Sequence, residues 1–411
     1  MRIVRGNLTA SQERVLQFAE RVCGSISQSG YDAYPVGGFV RDILLGKTPY
    51  DIDISTNAPD PIILRLFPYA ACVGTGKYHF YRFKKAGYLV EISRMREDLR
   101  CYGRQAEFRF VDKIEDDLKR RDFTINALAL RLPTLEIVDL SGGIEDIDRR
   151  VIRTIGEPQL RFEEDYLRML RAIRYAGKLN FKLEKNTRNA LVDMADRISL
   201  LSADRKREEC ILLLRAPGRK RSVEMMFRLG LLKFVSPSLD ELFQGDAKAY
   251  SMTLKTISKL SPRHSVLLHF SALLYQLFVR RGRQAVSDVI GKDFNFDRRR
   301  KADILGVLDC CYILAESEKT GDVLPAIVSG YIRPASILSG IIRRLSGKEP
   351  VHIDFDRTDF PDWICGDFIK KSATVSGQAV GKLIRLLKYA YYTGEVDTPD
   401  EAKKWLRQYL L

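Results

Sequence analysis

Two aspartates separated by one residue, Asp51-Ile52-Asp53, follow closely on a glycine pair, Gly37-Gly38. In an extended strand, residues i and i+2 share a face. Asp51 and Asp53 therefore point into one space, while Ile52 and Ile54 point to a core. Two carboxylates held together repel unless a cation sits between them. A hard divalent ion with oxygen ligands, Mg2+ most naturally, suits such a pair. It would activate an attacking hydroxyl and hold the phosphates of a nucleotide. The glycines lead into a segment with a helical pattern, so backbone N–H groups can approach a phosphate closely there. Arg41, one turn into that helix, adds a cation. A D-x-D standing alone on a strand is more often an exposed surface pair, and a lone G-G turn says less still. Here the two occur in order, as G-G-F-V-R-D and then D-I-D.

The elements that must position these groups are legible in outline. Residues 9–29 carry helical periodicity in Val15, Leu16, Phe18, Ala19 and Val22. "AYPVGG" reads as a strand entering a glycine turn, and "FVRDILLGK" as a short helix closed by Gly46. "DIDIS", "HFYRFKK", "YLVEISRM" and "EFRFVDK" read as strands, and "TLEIVDLSGG" as a strand ending in a turn. "DFTINALAL" fits helix or strand. After about Asp146 the strand signal almost vanishes. "FEEDYLRMLRAIRYAGKL" has Leu167, Leu170, Ile173 and Ala176 at helical spacing, and helical patterns recur to the end. The expected architecture is an α+β head followed by an all-α arm.

The totals fit this division. The chain has 411 residues, 45% hydrophobic and 29% charged, with a formal net charge of +15. That excess suits a polyanionic partner such as nucleic acid, or else a solubilising basic surface. The 7 cysteines are scattered without a C-x-x-C pair, and there are only 4 histidines, which argues against a structural zinc site. A reduced intracellular protein is expected. No apolar run reaches membrane-spanning length, and the N-terminal residues lack an apolar signal core. The expected compartment is the cytoplasm.

The G-G-x-V-R-D and D-x-D pattern resembles the nucleotidyltransferase core shared by bacterial poly(A) polymerases and the class II tRNA nucleotidyltransferases, the CCA-adding enzymes. The resemblance continues in "RRDFTINA", where Arg120, Arg121, Asp122 and Asn126 match the family's nucleotide-binding signature. Arginines supply planar donors for phosphate or ribose. Asp122 can anchor one of them, and Asn126 can bond a sugar hydroxyl or phosphate. Asp139 and Gly143 match the family's junction of head and neck. "LLSADRKREECILLLRAP" looks like the family's fifth motif, with Asp204 where Glu is usual and with Arg205 and Glu209 matching. The resemblance implies a polymerase-β-like nucleotidyltransferase head at 1–145, a base-recognising helical neck at 146–215, and a helical tRNA-binding body and tail at 216–411.

Glu164-Asp165-x-x-Arg168 resembles the family's amino-acid template for the incoming base. An i, i+3 spacing puts Asp165 and Arg168 on one helical face. Cytosine and adenine both show an exocyclic amine beside an unprotonated ring nitrogen, so a carboxylate accepts from the first and a guanidinium donates to the second. Uracil and guanine invert the pattern, and a mismatched bidentate pair discriminates by about 1–3 kcal/mol. Arg171 and Arg174 on the same segment are implied as further nucleotide-binding residues. Glu91, on "LVEIS", is either a third metal carboxylate or an ordinary edge-strand glutamate.

The expected reaction is transfer of CMP and AMP from CTP and ATP to the 3′ end of a tRNA held by its acceptor and T arms. "CVGTGKYHFYRF" lies nearer the tRNA branch than the G-R-R-F form of poly(A) polymerases. The family's flexible loop linked to the C-to-A switch is about two residues short here. It keeps Tyr102 and Arg104 but lacks the usual Asp and Pro. A CC-adding or A-adding enzyme, a poly(A) polymerase and a non-catalytic RNA-binding protein therefore stand as alternatives to full CCA addition.

Overall fold

A computed structural model describes every residue except Lys77, Gly103, Arg104 and residues 318–325, 327, 328, 354, 356, 357, 374, 376 and 411. The chain divides into two compact units. One is Met1–Ser202 with Arg228–Phe234; the other is Ala203–Phe227 with Val235–Leu411.

The first unit begins with helix α1 (Ala10–Ser27), opened by a reciprocal capping box between Thr9 and Gln12. Its apolar stripe, Val15, Leu16, Phe18, Ala19 and Val22, is buried as the periodicity predicts. Next come β1 (Ala33–Pro35), α2 (Gly38–Leu44), β2 (Asp51–Thr56) and α3 (Asp60–Leu66), then β3 (Ala71–Thr75), β4 (Tyr78–Lys85) and β5 (Tyr88–Arg94). The five strands form one sheet in the order β1-β2-β5-β4-β3. Strand β2 runs parallel to β5, and every other pairing is antiparallel. The register sets Asp51 beside Leu89, Asp53 beside Glu91 and Thr56 beside Arg94. Ile52, Ile54, Val90 and Ile92 are fully buried. Strand alternation therefore turns Asp51, Asp53, Glu91 and Ser93 to the opposite face.

Two features depart from the sequence reading. The stretch read as a loop before "EFRF" is a hairpin, β6 (Arg96–Tyr102) with β7 (Gln105–Phe110). The β6 half, "REDLRCY", shows no apolar alternation and so no strand signal, whereas the β7 half contains the "EFRF" already read as a strand. The hairpin is held by its backbone ladder and by cross-strand contacts such as Arg109 with Glu97 at 2.8 Å. The short β3 was likewise not foreseen.

Beyond the hairpin lie α4 (Ile114–Lys119), a 3-10 turn at Thr124–Asn126 and the strand pair β8 (Leu128–Arg131) with β9 (Glu136–Asp139). "DFTINALAL" is thus a turn leading into a strand. Helix α5 (Gly143–Asp148) starts under Asp139, whose carboxylate accepts the backbone N–H groups of Ser141, Gly143 and Ile144. A Cβ on Gly143 would lie 2.2 Å from the Thr124 carbonyl oxygen, so only glycine fits this junction.

A short parallel pair, β10 (Val151–Ile152) with β11 (Lys182–Leu183), brackets α6 (Pro158–Glu164) and α7 (Leu167–Leu179). The periodicity predicted one helix here, and the structure has two. Asp165 is extended, with φ −161 and ψ 105. Its carboxylate accepts the N–H of Leu167 at 3.0 Å and so starts α7 afresh. Aspartate favours that capping conformation over a helix interior. Asp165 and Arg168 therefore do not lie on one continuous helical face.

Among the described residues, the second unit contains helices and no strand. It begins with α9 (Ala203–Arg215); α8 is Lys185–Asp193 in the first unit. The helical segment Val266–Asp288, broken by a kink at Gly282, buries Leu268, Phe270, Leu273, Leu274 and Leu277. Nearer the C-terminus a separate apolar cluster gathers Ile364, Ile369, Leu383, Leu387 and Leu406. No described helix is long and apolar enough to cross a membrane.

Candidate active site

The glycine turn is fixed from both sides. The Val36 N–H donates to the Asp53 carbonyl at 2.8 Å, and that of Gly37 to the Leu128 carbonyl at 2.9 Å. Val36 itself packs with Met95, Ile114, Leu118 and Ala129. Gly37 has φ 64, and a Cβ there would lie 2.9 Å from Nη1 of Arg121. The backbone conformation requires glycine, and a side chain there would also displace the Arg121 guanidinium.

Asp51 and Asp53 occupy one face of β2, as the spacing predicts. Burial pushes the Asp53 carboxyl up to about 6, and the Glu91 carboxylate beside it adds to the shift. Asp51 is raised for the same two reasons, burial first. An acid pair raised in this way gains by meeting a cation. Among the described residues, no group of three or more Asp, Glu, His or Cys is disposed to hold a metal ion. Glu91 stands beside Asp53 in register, but its carboxylate accepts Nε of Arg82 at 2.8 Å. Two carboxylates with all-oxygen donors still fit Mg2+, which commonly takes one or two carboxylates and leaves its other positions to phosphates and water.

The arginines of "KRRDF" are organised by a residue the sequence reading did not single out. Asp117, on α4, is fully buried. One carboxylate oxygen accepts Nε and Nη2 of Arg120 at 2.9 and 2.7 Å. The other accepts Nη2 of Arg121 at 3.0 Å and the Ser55 hydroxyl at 3.2 Å. Burial alone would raise this carboxyl, but the two guanidinium groups outweigh it and hold it down at about 2. Asp117, not Asp122, therefore anchors Arg120 and Arg121. Its i, i+3 and i, i+4 spacing to them was the available signal.

Asp122 serves a different arginine. It accepts Nε of Arg171 at 2.7 Å and Nδ2 of Asn126 at 3.2 Å. Asn126 in turn accepts Nη1 of Arg41 at 2.6 Å. Arg41 is buried and also donates to Asp42 at 2.8 Å. One ring ties this network to α7: the guanidinium groups of Arg41, Arg171 and Arg174 lie 5.6, 5.6 and 4.4 Å from the centroid of Tyr175. The 3-10 turn, α2 and α7 are thus joined by charge-assisted bonds that leave a strongly cationic wall.

Arg168 pairs with Glu164 and donates to the carbonyl oxygens of Arg161 at 2.8 Å and Arg120 at 3.4 Å. Glu164 also accepts Nη1 of Arg161 at 2.9 Å. Tyr102 ends β6, and Arg104 lies outside the described residues. In front of Asp53 and Glu91 opens a cleft of about 400 Å³, with Arg94, Phe110, Arg120 and Arg121 on its walls.

Comparison with known proteins gives this arrangement a family. The poly A polymerase head domain matches residues 33–153, and the probable RNA and SrmB-binding site of polymerase A matches residues 180–243. The CCA-adding enzyme of Lactobacillus gasseri is 30% identical over 390 residues, 92% of this chain and 93% of that protein. The chain belongs to the CCA-adding enzyme family. A CCA-adding enzyme of Leuconostoc mesenteroides is 29% identical over 406 residues, 95% of this chain and 96% of that one. The CCA-adding enzyme of Bacillus stearothermophilus, solved in complex with CTP, superposes with a TM-score of 0.69 at 26% identity, covering 98% of both chains. That of Thermotoga maritima shares the fold, with a TM-score of 0.59 at 21% identity over 97% of this chain and 96% of that one. Membership makes the chain a nucleotidyltransferase. The head match spans the glycine turn, Asp51, Asp53 and the Asp117 cluster, while Glu164 to Arg174 falls between the two matched segments.

Proposed function

We propose that this chain adds CMP and then AMP, from CTP and ATP, to the 3′ end of tRNA without a nucleic-acid template, releasing pyrophosphate. The observation that carries the reading is the Asp51 and Asp53 pair on one face of β2, with Asp53 lining a cleft, in a chain that aligns with CCA-adding enzymes over nearly its whole length. The division of labour is a catalytic head at 1–145, a base-recognising neck at 146–215 and a tRNA-holding body and tail at 216–411. The setting is cytoplasmic.

Asp51 and Asp53 would hold Mg2+, which supplies charge neutralisation at the α-phosphate and acidifies the attacking hydroxyl. Gly37 and Gly38 leave room for the triphosphate against the turn. Arg41 and Arg171 are fixed through Asn126 and Asp122 and face it with positive charge. Asp117 holds Arg120 and Arg121 to the same end. Asp165 and Arg168 read the base. Glu164 keeps the Arg168 fork in place together with the Arg161 and Arg120 carbonyls rather than reading the base itself. The restrained guanidinium donates to cytosine or adenine and meets a ring N–H in uracil or guanine.

The experiment supplies purified protein and Mg2+ with a tRNA transcript ending at the discriminator base. CTP, ATP and both are added, and products are resolved to single nucleotides. The expected result is two additions with CTP and three with both, then a stop. A stop at two with both nucleotides would leave a CC-adding enzyme, and addition of A only to a transcript ending in CC would leave an A-adding one. A long A ladder would place the chain with the poly(A) polymerases, and no incorporation would leave an RNA-binding protein.

A further inference from the structure

Strand β2 has different neighbours on its two sides. On one side is β1, with Pro35 beside Ile54 and the glycine turn following. On the other is β5, with Glu91 beside Asp53 and Arg94 beside Thr56. The glycine turn thus follows the strand on one side of the carboxylate pair, while Arg94 ends the strand on the other and lines the same cleft as Asp53. In phosphoryl or nucleotidyl transfer the attacking oxygen and the leaving group stand roughly in line, on opposite sides of phosphorus. With the pyrophosphate on the glycine side, the strand that supplies the 3′-hydroxyl must enter over β5.

Arg94 is placed for that strand. Its guanidinium carbon lies 3.6 Å from the centroid of Phe110, a ring that is 38% exposed. Phe110 meets Phe108 edge to face at 5.4 Å, and Arg96 lies over Phe108 at 4.9 Å, so the two rings are bracketed by Arg94 and Arg96, both of which line the cleft. Its Nε is buried without a hydrogen-bond partner among the described residues. No carboxylate of the described residues forms an ion pair with it, whereas Arg120 and Arg121 are both held by Asp117. Arg94 therefore brings a full positive charge, flattened against a ring, to a cleft that also holds Asp53. Such a guanidinium keeps its edge N–H groups for a phosphodiester.

Resting on the transferase reading above, we propose that Arg94, stacked on Phe110, binds a backbone phosphate near the 3′ end of the acceptor RNA and so positions the attacking strand rather than the incoming nucleotide.

The test compares wild type, R94Q, R94K and F110L with a transcript ending in CC, varying RNA at saturating ATP and then ATP at saturating RNA. For R94Q the KM for RNA should rise about tenfold, the loss expected of one charged hydrogen bond, with the KM for ATP unchanged. The salt dependence of RNA affinity should become shallower by about 0.7 in log–log slope, one phosphate contact on a single strand. R94K should keep the wild-type slope, and F110L should raise the RNA KM with the slope retained. A raised KM for ATP with the RNA KM unchanged would overturn the assignment, as would a fall in kcat alone or a change in neither constant. RNA binding by fluorescence anisotropy, without nucleotide, reads the same contact. A wild type that adds no nucleotide sinks the transferase reading, while an unchanged Kd in R94Q sinks this one.

Discussion

Replacing Asp117 by Asn keeps the shape of the side chain and removes the charge on which Arg120, Arg121 and Ser55 converge. The carboxyl is lowered from 3.8 to about 2, and each unit corresponds to about 1.4 kcal/mol, so its ionised form contributes about 2–3 kcal/mol to folding. Breaking a buried ion pair from one side costs about 3–5 kcal/mol, because the remaining charges lose their partner. A loss of about 3 kcal/mol at pH 7 is expected, read in urea from the unfolding of the first unit. The sign with pH follows from the depressed value. The contribution is complete above the unfolded value of 3.8 and falls away as pH drops through the folded value near 2. By pH 3 it is about half gone. The gap between wild type and variant should therefore narrow as pH falls from 5 to 3. A variant within 1 kcal/mol of wild type at pH 7 or a gap constant with pH would refute the argument that Asp117 is the ionised anchor.

Three further outcomes are expected. Asp51→Asn and Asp53→Asn should each abolish incorporation by at least about a hundredfold while leaving tRNA affinity in a filter-binding assay unchanged. Because burial, then Glu91, lifts Asp53 to about 6, activity at limiting Mg2+ should fall as pH drops through 6, and excess Mg2+ should move that midpoint downward by favouring the carboxylate. Glu164→Gln should loosen Arg168 and raise UMP misincorporation about tenfold relative to CMP, measured by primer extension with single nucleotides.

The carboxylate pair was legible because strand geometry leaves one arrangement for D-x-D, and Gly37 because the turn before a helix so often needs positive φ. Asp117 was hidden in "IEDDLKRR", where a run of acids in a first helical turn reads as a solvated face. Its burial comes from tertiary packing of α4 against Val36 and Met95, which no local pattern reports. The break at Asp165 was masked because Leu167, Leu170 and Ile173 keep helical phase, and "FEED" ahead of them is also good helix sequence. The role of Asp122 was misjudged because its arginine partner lies 49 residues away, beyond any local pairing rule. Strand β6 escaped because "REDLRCY" alternates no apolar face, while most of β7 was legible in Phe108 and Phe110.

The parallel pairing of β2 with β5 also sets an order of assembly. Strands β3, β4 and β5 pair antiparallel with their neighbours in sequence, as do β6 and β7. Such local closures are fast, whereas a parallel partner can be reached only after the intervening chain has folded back. Asp53 meets Glu91 only through that slow contact, with α3, β3 and β4 lying between them in sequence. During refolding, the raised carboxyl of Asp53 should develop only after the local antiparallel pairs have closed, and a ribosome must release the chain well past Arg94 before a nascent head can own its cleft.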